Sequence, residues 1–224
     1  MRRSEINALM RQAVQFFNSY RFPLPPFAYW TPEDWASRGP AYDEIRDNAL
    51  GWDITDFGSG DFYRCGLLLF TLRNGNQQLA KYTKPYAEKA MIVREGQLTP
   101  YHFHWHKMED IINRGGGELV LQLYNSAPDG AFEDTPVSVH SDGRVYSISA
   151  GGLVRLGPGE SITLRQGQYH QFWAEGETTL VVEVSQCNDD TADNRFYGQV
   201  GRFPEIEEDE PPVYLLGGEY PRAE

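Results

Sequence analysis

Apolar residues first recur at helical spacing near the start of the chain. Ile6, Leu9, Met10, Ala13, Val14 and Phe17 fall on one helix face, and Ser4 is placed to cap the N-terminus of that helix. The proline-rich stretch 21–27 cannot continue it. Thr31-Pro32-Glu33 then offers a cap, a proline at the first helical position and an acidic first turn. A short second helix is predicted there, ending by Gly39, with a further helical turn over 43–48. Beyond Gly51 the period changes. Short apolar runs alternate with turn residues, predicting strands over 63–72, 87–95, 98–105, 118–124, 137–140, 144–148, 153–156, 161–164, 171–173 and 178–185. Asn74-Gly75 and Asp142-Gly143 read as tight hairpin turns. Many short strands with regular turns point to an all-β core, a sandwich or barrel. The tail after Asn188 is polar, with an acidic run from Glu205 to Glu210 before Pro211-Pro212, and reads as extended chain wrapped on the barrel. No repeat or linker divides the sequence. The expected organisation is one domain over 1–224: helical to residue 50, a β-barrel over 51–187 and a C-terminal extension over 188–224.

The 224 residues are ample for one buried core. A net charge of −12 argues against binding a phosphate backbone. No apolar stretch is long enough to span a bilayer. Met-Arg-Arg-Ser-Glu-Ile opens an amphipathic segment rather than a signal sequence. Cys65 and Cys187 form no metal-like pair, and Cys65 sits in an apolar run as a small hydrophobe. The expectation is a soluble cytoplasmic protein with reduced thiols and no nucleic-acid or membrane partner.

The chemistry concentrates in Gly96-Gln-Leu-Thr-Pro-Tyr-His102-Phe-His104-Trp-His106-Lys-Met-Glu109. Three of the chain's five histidines and a carboxylate fall within residues 102–109. In a strand, His102 and His104 share one face. Glu109 follows far enough on to return from a turn to the same ion. His170 lies well downstream, in the segment 159–170. Three imidazoles and one carboxylate form a mixed N/O set that suits Mn, Fe, Co, Ni or Zn and leaves coordination positions open. His106 is expected beside that set or facing solvent, and His140, in a polar hairpin, exposed.

Gly96, His102, His104, Glu109 and Gly116 match the first cupin motif, G-x5-H-x-H-x4-E-x6-G. Gly159, Gly167 and His170 match the second, with Arg165 and Ala174 replacing its proline and asparagine. The resemblance implies a jelly-roll barrel with metal ligands His102, His104, Glu109 and His170. The segment 88–117 and the later Asn188-Asp-Asp-Thr-Ala-Asp193-Asn194-Arg195-Phe196 also resemble the D-lyxose isomerase family of sugar ketol-isomerases. That resemblance implies a manganese-dependent enzyme interconverting D-lyxose and D-xylulose, and D-mannose and D-fructose, as a homodimer.

Aldose–ketose isomerisation can move a proton between C2 and C1 through a cis-enediolate, which needs a positioned base, whereas a direct hydride shift promoted by the metal alone needs none. Glu183 interrupts the apolar run Leu180-Val-Val-Glu-Val and is the first candidate. Lys89, at a position the resemblance marks as active-site, is its expected polar partner. Asp193 and Arg195 are candidates for holding sugar hydroxyls. The acidic chain carries no glycine-rich phosphate loop, so a free monosaccharide is expected. An iron dioxygenase and a non-catalytic sugar-binding cupin remain open alternatives on the residues alone.

Overall fold

The computed structural model describes residues 1–201 and 205–223. Of the extension expected over 188–224, residues 202–204 and 224 lie outside the described residues. The helices are α1 (Arg3–Ser19), α2 (Pro32–Ala36) and α3 (Asp43–Asp47), with single 3-10 turns at Pro26–Tyr29 and Pro40–Tyr42. Thr31 caps α2 through a reciprocal box with Asp34. Ser4 does not cap α1. The helix starts two residues earlier than that cap implies, with Arg2 in the cap position, and Ser4 donates instead to the carboxylate of Asp209 in the tail, from N at 2.9 Å and from Oγ at 2.6 Å.

The strands are β1 (Gly51–Thr55), β2 (Leu67–Arg73), β3 (Tyr86–Val93), β4 (Thr99–His104), β5 (Glu109–Gly115), β6 (Glu118–Ser126), β7 (Phe132–Glu133), β8 (Val137–Ser141), β9 (Arg144–Ile148), β10 (Leu153–Leu156), β11 (Ser161–Leu164), β12 (Gln168–Glu175), β13 (Thr179–Gln186) and β14 (Asn194–Phe196). All ladders are antiparallel. One sheet runs β1-β2-β3-β13-β5-β11-β8-β9 and the other β10-β6-β12-β4-β14, with β7 beside β6. The two curled sheets enclose a core of Leu69, Met91, Ile111, Leu121, Val139, Ile162, Phe172 and Val181. This is the cupin jelly roll. β1, β5, β7 and β14 were not among the predicted strands.

The β1-β2-β3-β13 part of the larger sheet is buried on both faces. Leu68, Phe70, Ala90, Ile92, Leu180 and Val182 point outward, yet they are covered by Ile6, Leu9, Met10, Ala13 and Phe17 of α1. The tail straps this helix down. Buried Arg3 pairs with Glu208 and Glu219, and Asn7 Nδ2 donates to Glu210 at 2.6 Å and to the Pro211 carbonyl at 2.9 Å.

Asp142-Gly143 closes the β8–β9 hairpin, with both residues at positive φ as a two-residue turn demands. Asn74-Gly75 does not form a hairpin turn. Residues 74–85 join β2 to β3 as a long loop. A Cβ at Gly75 would overlap the Lys84 carbonyl and Cys187 Sγ, so this glycine serves close packing. His140 is half-buried in β8 rather than exposed, and stands outside the site described next.

Candidate active site and metal centre

Strand register brings the distant histidines together. His102 and His104 alternate along β4, and His170 on β12 is the ladder partner of His102. One ring nitrogen from each of the three lies within 4.8 Å of the others. After the turn 105–108, β5 opens on Glu109, whose Oε1 is 3.3 Å from Nε2 of both His104 and His170. His102 Nδ1 donates to the Pro100 carbonyl at 2.9 Å, and His170 Nδ1 to the Gln168 carbonyl at 3.1 Å. A neutral imidazole fixed in that way carries its lone pair on Nε2, the nitrogen free to ligate.

The residues fit a divalent ion. His104 Nδ1 and Nε2 and His170 Nε2 are buried without a hydrogen bond. A buried polar atom so left is costly unless something else completes it. Burial, followed by the neighbouring His170 and His104, drives the His102 pKa well below the ordinary value. Burial and Lys107 lower that of His104. Both rings are therefore neutral at physiological pH, as ligands must be. Imidazole nitrogens with one carboxylate suit the first-row ions Mn to Zn.

Behind the histidines lies a group that sequence reasoning missed. Lys107 is fully buried, with Nζ 2.8 Å from Glu109 Oε2 and 2.8 Å from Glu183 Oε1. Burial opposes its charge, but the two carboxylates outweigh that and hold its pKa above the ordinary lysine value. Burial likewise opposes charge on Glu109, and Lys107 and His104 nevertheless hold it well below the ordinary carboxylate range.

Glu183 and Lys89 are direct cross-strand partners on β13 and β3, both buried. Glu183 Oε1 accepts from Lys107 and from Ser185 Oγ at 2.9 Å, while Oε2 lies 3.5 Å from Lys89 Nζ. Lys89 Nζ also donates to Asn188 Oδ1 at 2.6 Å. A cavity of about 40 Å³ opens among these groups, with Phe57, Asn194 and Phe196 along its wall.

The structure does not bring Arg195 to this cavity. β14 pairs with β4 so that Asn194 stands beside His104, Arg195 beside Phe103 and Phe196 beside His102. Paired residues share a face, so Arg195 points outward and is exposed, while Asn194 and Phe196 take the inner positions. The carboxylate of Asp193 is occupied elsewhere. It accepts from the backbone N–H of His106 at 2.7 Å and of Lys107 at 3.0 Å, fixing the turn that aims Lys107 inward. His106 itself faces solvent.

A family model described as D-lyxose isomerase matches residues 1–220. A D-lyxose/D-mannose isomerase of Serratia proteamaculans is 49% identical over 227 residues, covering 99% of each chain. Its namesake from Escherichia coli O157:H7 is 47% identical over 223 residues, covering 98% of each. The solved L-ribose isomerase of Cellulomonas parahominis with L-ribose is similar with a TM-score of 0.60 at 18% identity, over 92% of this chain and 98% of that one. The Geodermatophilus obscurus L-ribose isomerase gives 0.59 at 19%, over 92% and 98%. These two structural likenesses establish the shared fold.

Proposed function

We propose a working chemistry from one premise: the chain belongs to the D-lyxose isomerase family and is a sugar isomerase. Its substrates are free aldoses, D-lyxose giving D-xylulose and D-mannose giving D-fructose, in keeping with the names of its two relatives. His102, His104, Glu109 and His170 would hold a divalent ion, manganese on the family resemblance. Such an ion, when bound, supplies Lewis-acid stabilisation of negative charge on the sugar oxygens.

The observation that carries the reading is the Glu183 carboxylate beside the histidine cluster, with one oxygen held and the other spare. Lys107 and Ser185 fix Oε1, leaving Oε2 to take the proton from C2 and return it to C1. Lys107 also spans Glu109, so the base and the ligand set keep one geometry. Lys89 Nζ, beside Oε2, donates to a sugar oxygen. Burial of Glu183 and Lys89 limits exchange of the transferred proton with water.

The test is isomerisation of D-lyxose in D2O by wild type and Glu183→Gln. Loss of a general base costs about 10²–10⁴-fold in rate, so the variant should fall in that range with its metal content unchanged. The wild type should place some solvent deuterium at C1 of the ketose. Full activity in Glu183→Gln with normal metal content would remove Glu183 from this role.

A further inference from the structure

The cavity at the histidines has room for roughly three water molecules, too little for a whole monosaccharide. A second cavity adjoins it and measures about 590 Å³, within the usual range for a small-molecule site. Asp190 lines both. Asn188 lines the larger one, and its Oδ1 receives Lys89 Nζ at 2.6 Å and Lys107 Nζ at 3.2 Å. Thr71, the cross-strand partner of Lys89, lines it too. The proposed reacting groups are therefore one side chain away from the larger space.

The wall of that space is chemically one-sided. Amides such as Asn76, Gln77 and Gln78 alternate with carboxylates such as Asp53 and Asp189, and Trp52 adds an aromatic surface. No lysine, arginine or histidine is among the described residues that line it. Such a wall accepts hydrogen bonds from hydroxyl groups, and its carboxylates disfavour anions away from the points where Lys89 and Lys107 reach Asn188 and where Lys81 and Arg3 pair Asp47 and Glu219. Part of it is preformed. Asn74 Nδ2 donates to the carbonyls of Asn188 at 2.9 Å and Asn48 at 3.3 Å. Asn48 Nδ2 donates to the Asn74 carbonyl at 3.0 Å, and Asn188 N to Asn74 Oδ1 at 2.9 Å. Asn48 and Asn74 are buried, so this network does not have to be ordered by the ligand.

We propose that the larger cavity is a polyol chamber. It holds the neutral hydroxylated chain of the sugar while the carbonyl end reaches Glu183 and Lys89, and it refuses a sugar that carries a phosphate. The assignment to substrate rests on the isomerase reading above, whereas affinity of the chamber for a neutral polyol does not.

Two variants put a bulky ring at the chamber's wall. A Cβ at Gly218 meets no atom within 4 Å, and this glycine is not at positive φ, so Gly218→Trp places a ring in open space without backbone strain. Gln77→Trp does the same from an exposed loop. In the manganese-loaded enzyme each should raise KM for D-lyxose by about tenfold or more, with kcat and bound metal changed by less than about twofold. Calorimetric binding of D-arabinitol, a neutral pentitol that cannot be isomerised, should be measurable in wild type and lost in both variants. Wild-type KM and wild-type arabinitol binding in the two variants would overturn the chamber. If wild type isomerises no aldose but arabinitol binding is still lost in the variants, the isomerase reading fails and the chamber stands. Should Gly218→Trp fail to fold, Gln77→Trp decides alone. Tight binding of D-lyxose 5-phosphate would overturn the exclusion of phosphate.

Discussion

Lys107→Met should be the most damaging single change at the site, in stability as well as in rate. One buried Nζ serves two buried carboxylates, each at 2.8 Å. Removing one partner of a buried ion pair costs about 3–5 kcal/mol, because the remaining charge stays uncompensated in a poorly solvated place. Here Glu109 loses its lysine partner while Glu183 keeps Lys89 at 3.5 Å, so a cost within that range is expected. For a chain of this size one kcal/mol moves the melting temperature by about 2–4 °C, so a fall of about 6–20 °C is expected. The assay is scanning calorimetry of metal-stripped protein at neutral pH, since an ion beside Glu109 would both supply charge and add binding stabilisation. Adding Glu109→Gln to Lys107→Met removes the carboxylate that lost its lysine and should recover part of the lost stability, while activity stays absent. A Lys107→Met protein melting within about 2 °C of wild type would refute the reasoning.

The remaining predictions follow from the turn and the tail. Asp193→Ala strands the backbone N–H groups of His106 and Lys107 and should cost about 1–3 kcal/mol in chemical unfolding, with a lower kcat because Lys107 is no longer aimed. Asp193→Asn, which can still accept from one of those amides, should recover part of both. In the tail, Arg3 holds Glu208 below the ordinary carboxylate value, and Ser4 does the same for Asp209. A depressed folded pKa means the contribution is complete above the ordinary values near pH 4 and disappears as pH falls through the lower folded ones. Melting temperature should therefore decline below about pH 4.5, and less steeply in Arg3→Met; identical pH profiles would show that the strap does not couple to acid.

The histidine cluster was legible because its information is local. His102 and His104 obey the period of a strand, and Glu109 follows within one turn. Only His170 needed the second motif to be placed, and the ladder from β12 to β4 supplies the reason. Glu183 was half legible. Its neighbours are apolar on both faces because α1 covers the outer side of the larger sheet, so alternation could not tell inward from outward. Lys107 was not legible, because its direction depends on a turn held by Asp193 from a segment far along the chain. The sequence does not mark β14 as a strand, so it does not show that Asn194 and Phe196 stand beside the histidines of β4 while Arg195 stands beside Phe103 and Asp193 holds the turn at Lys107. Ser4 and Asn74 failed as cap and turn residues for a related reason: tertiary partners, Asp209 for one and Asn48 with Asn188 for the other, took the hydrogen bonds that local chemistry would have used.

The central claim is a sugar isomerase whose ion is held by His102, His104, Glu109 and His170. Metal-stripped wild type and His170→Ala should be incubated with manganese, bound metal counted, and free D-lyxose converted under the same conditions with D-xylulose as the readout. The account predicts that stripped wild type is inactive, regains ketose formation in proportion to bound manganese, and that folded His170→Ala recovers neither metal nor activity. Full activity in stripped wild type, or normal metal occupancy in His170→Ala, would contradict it.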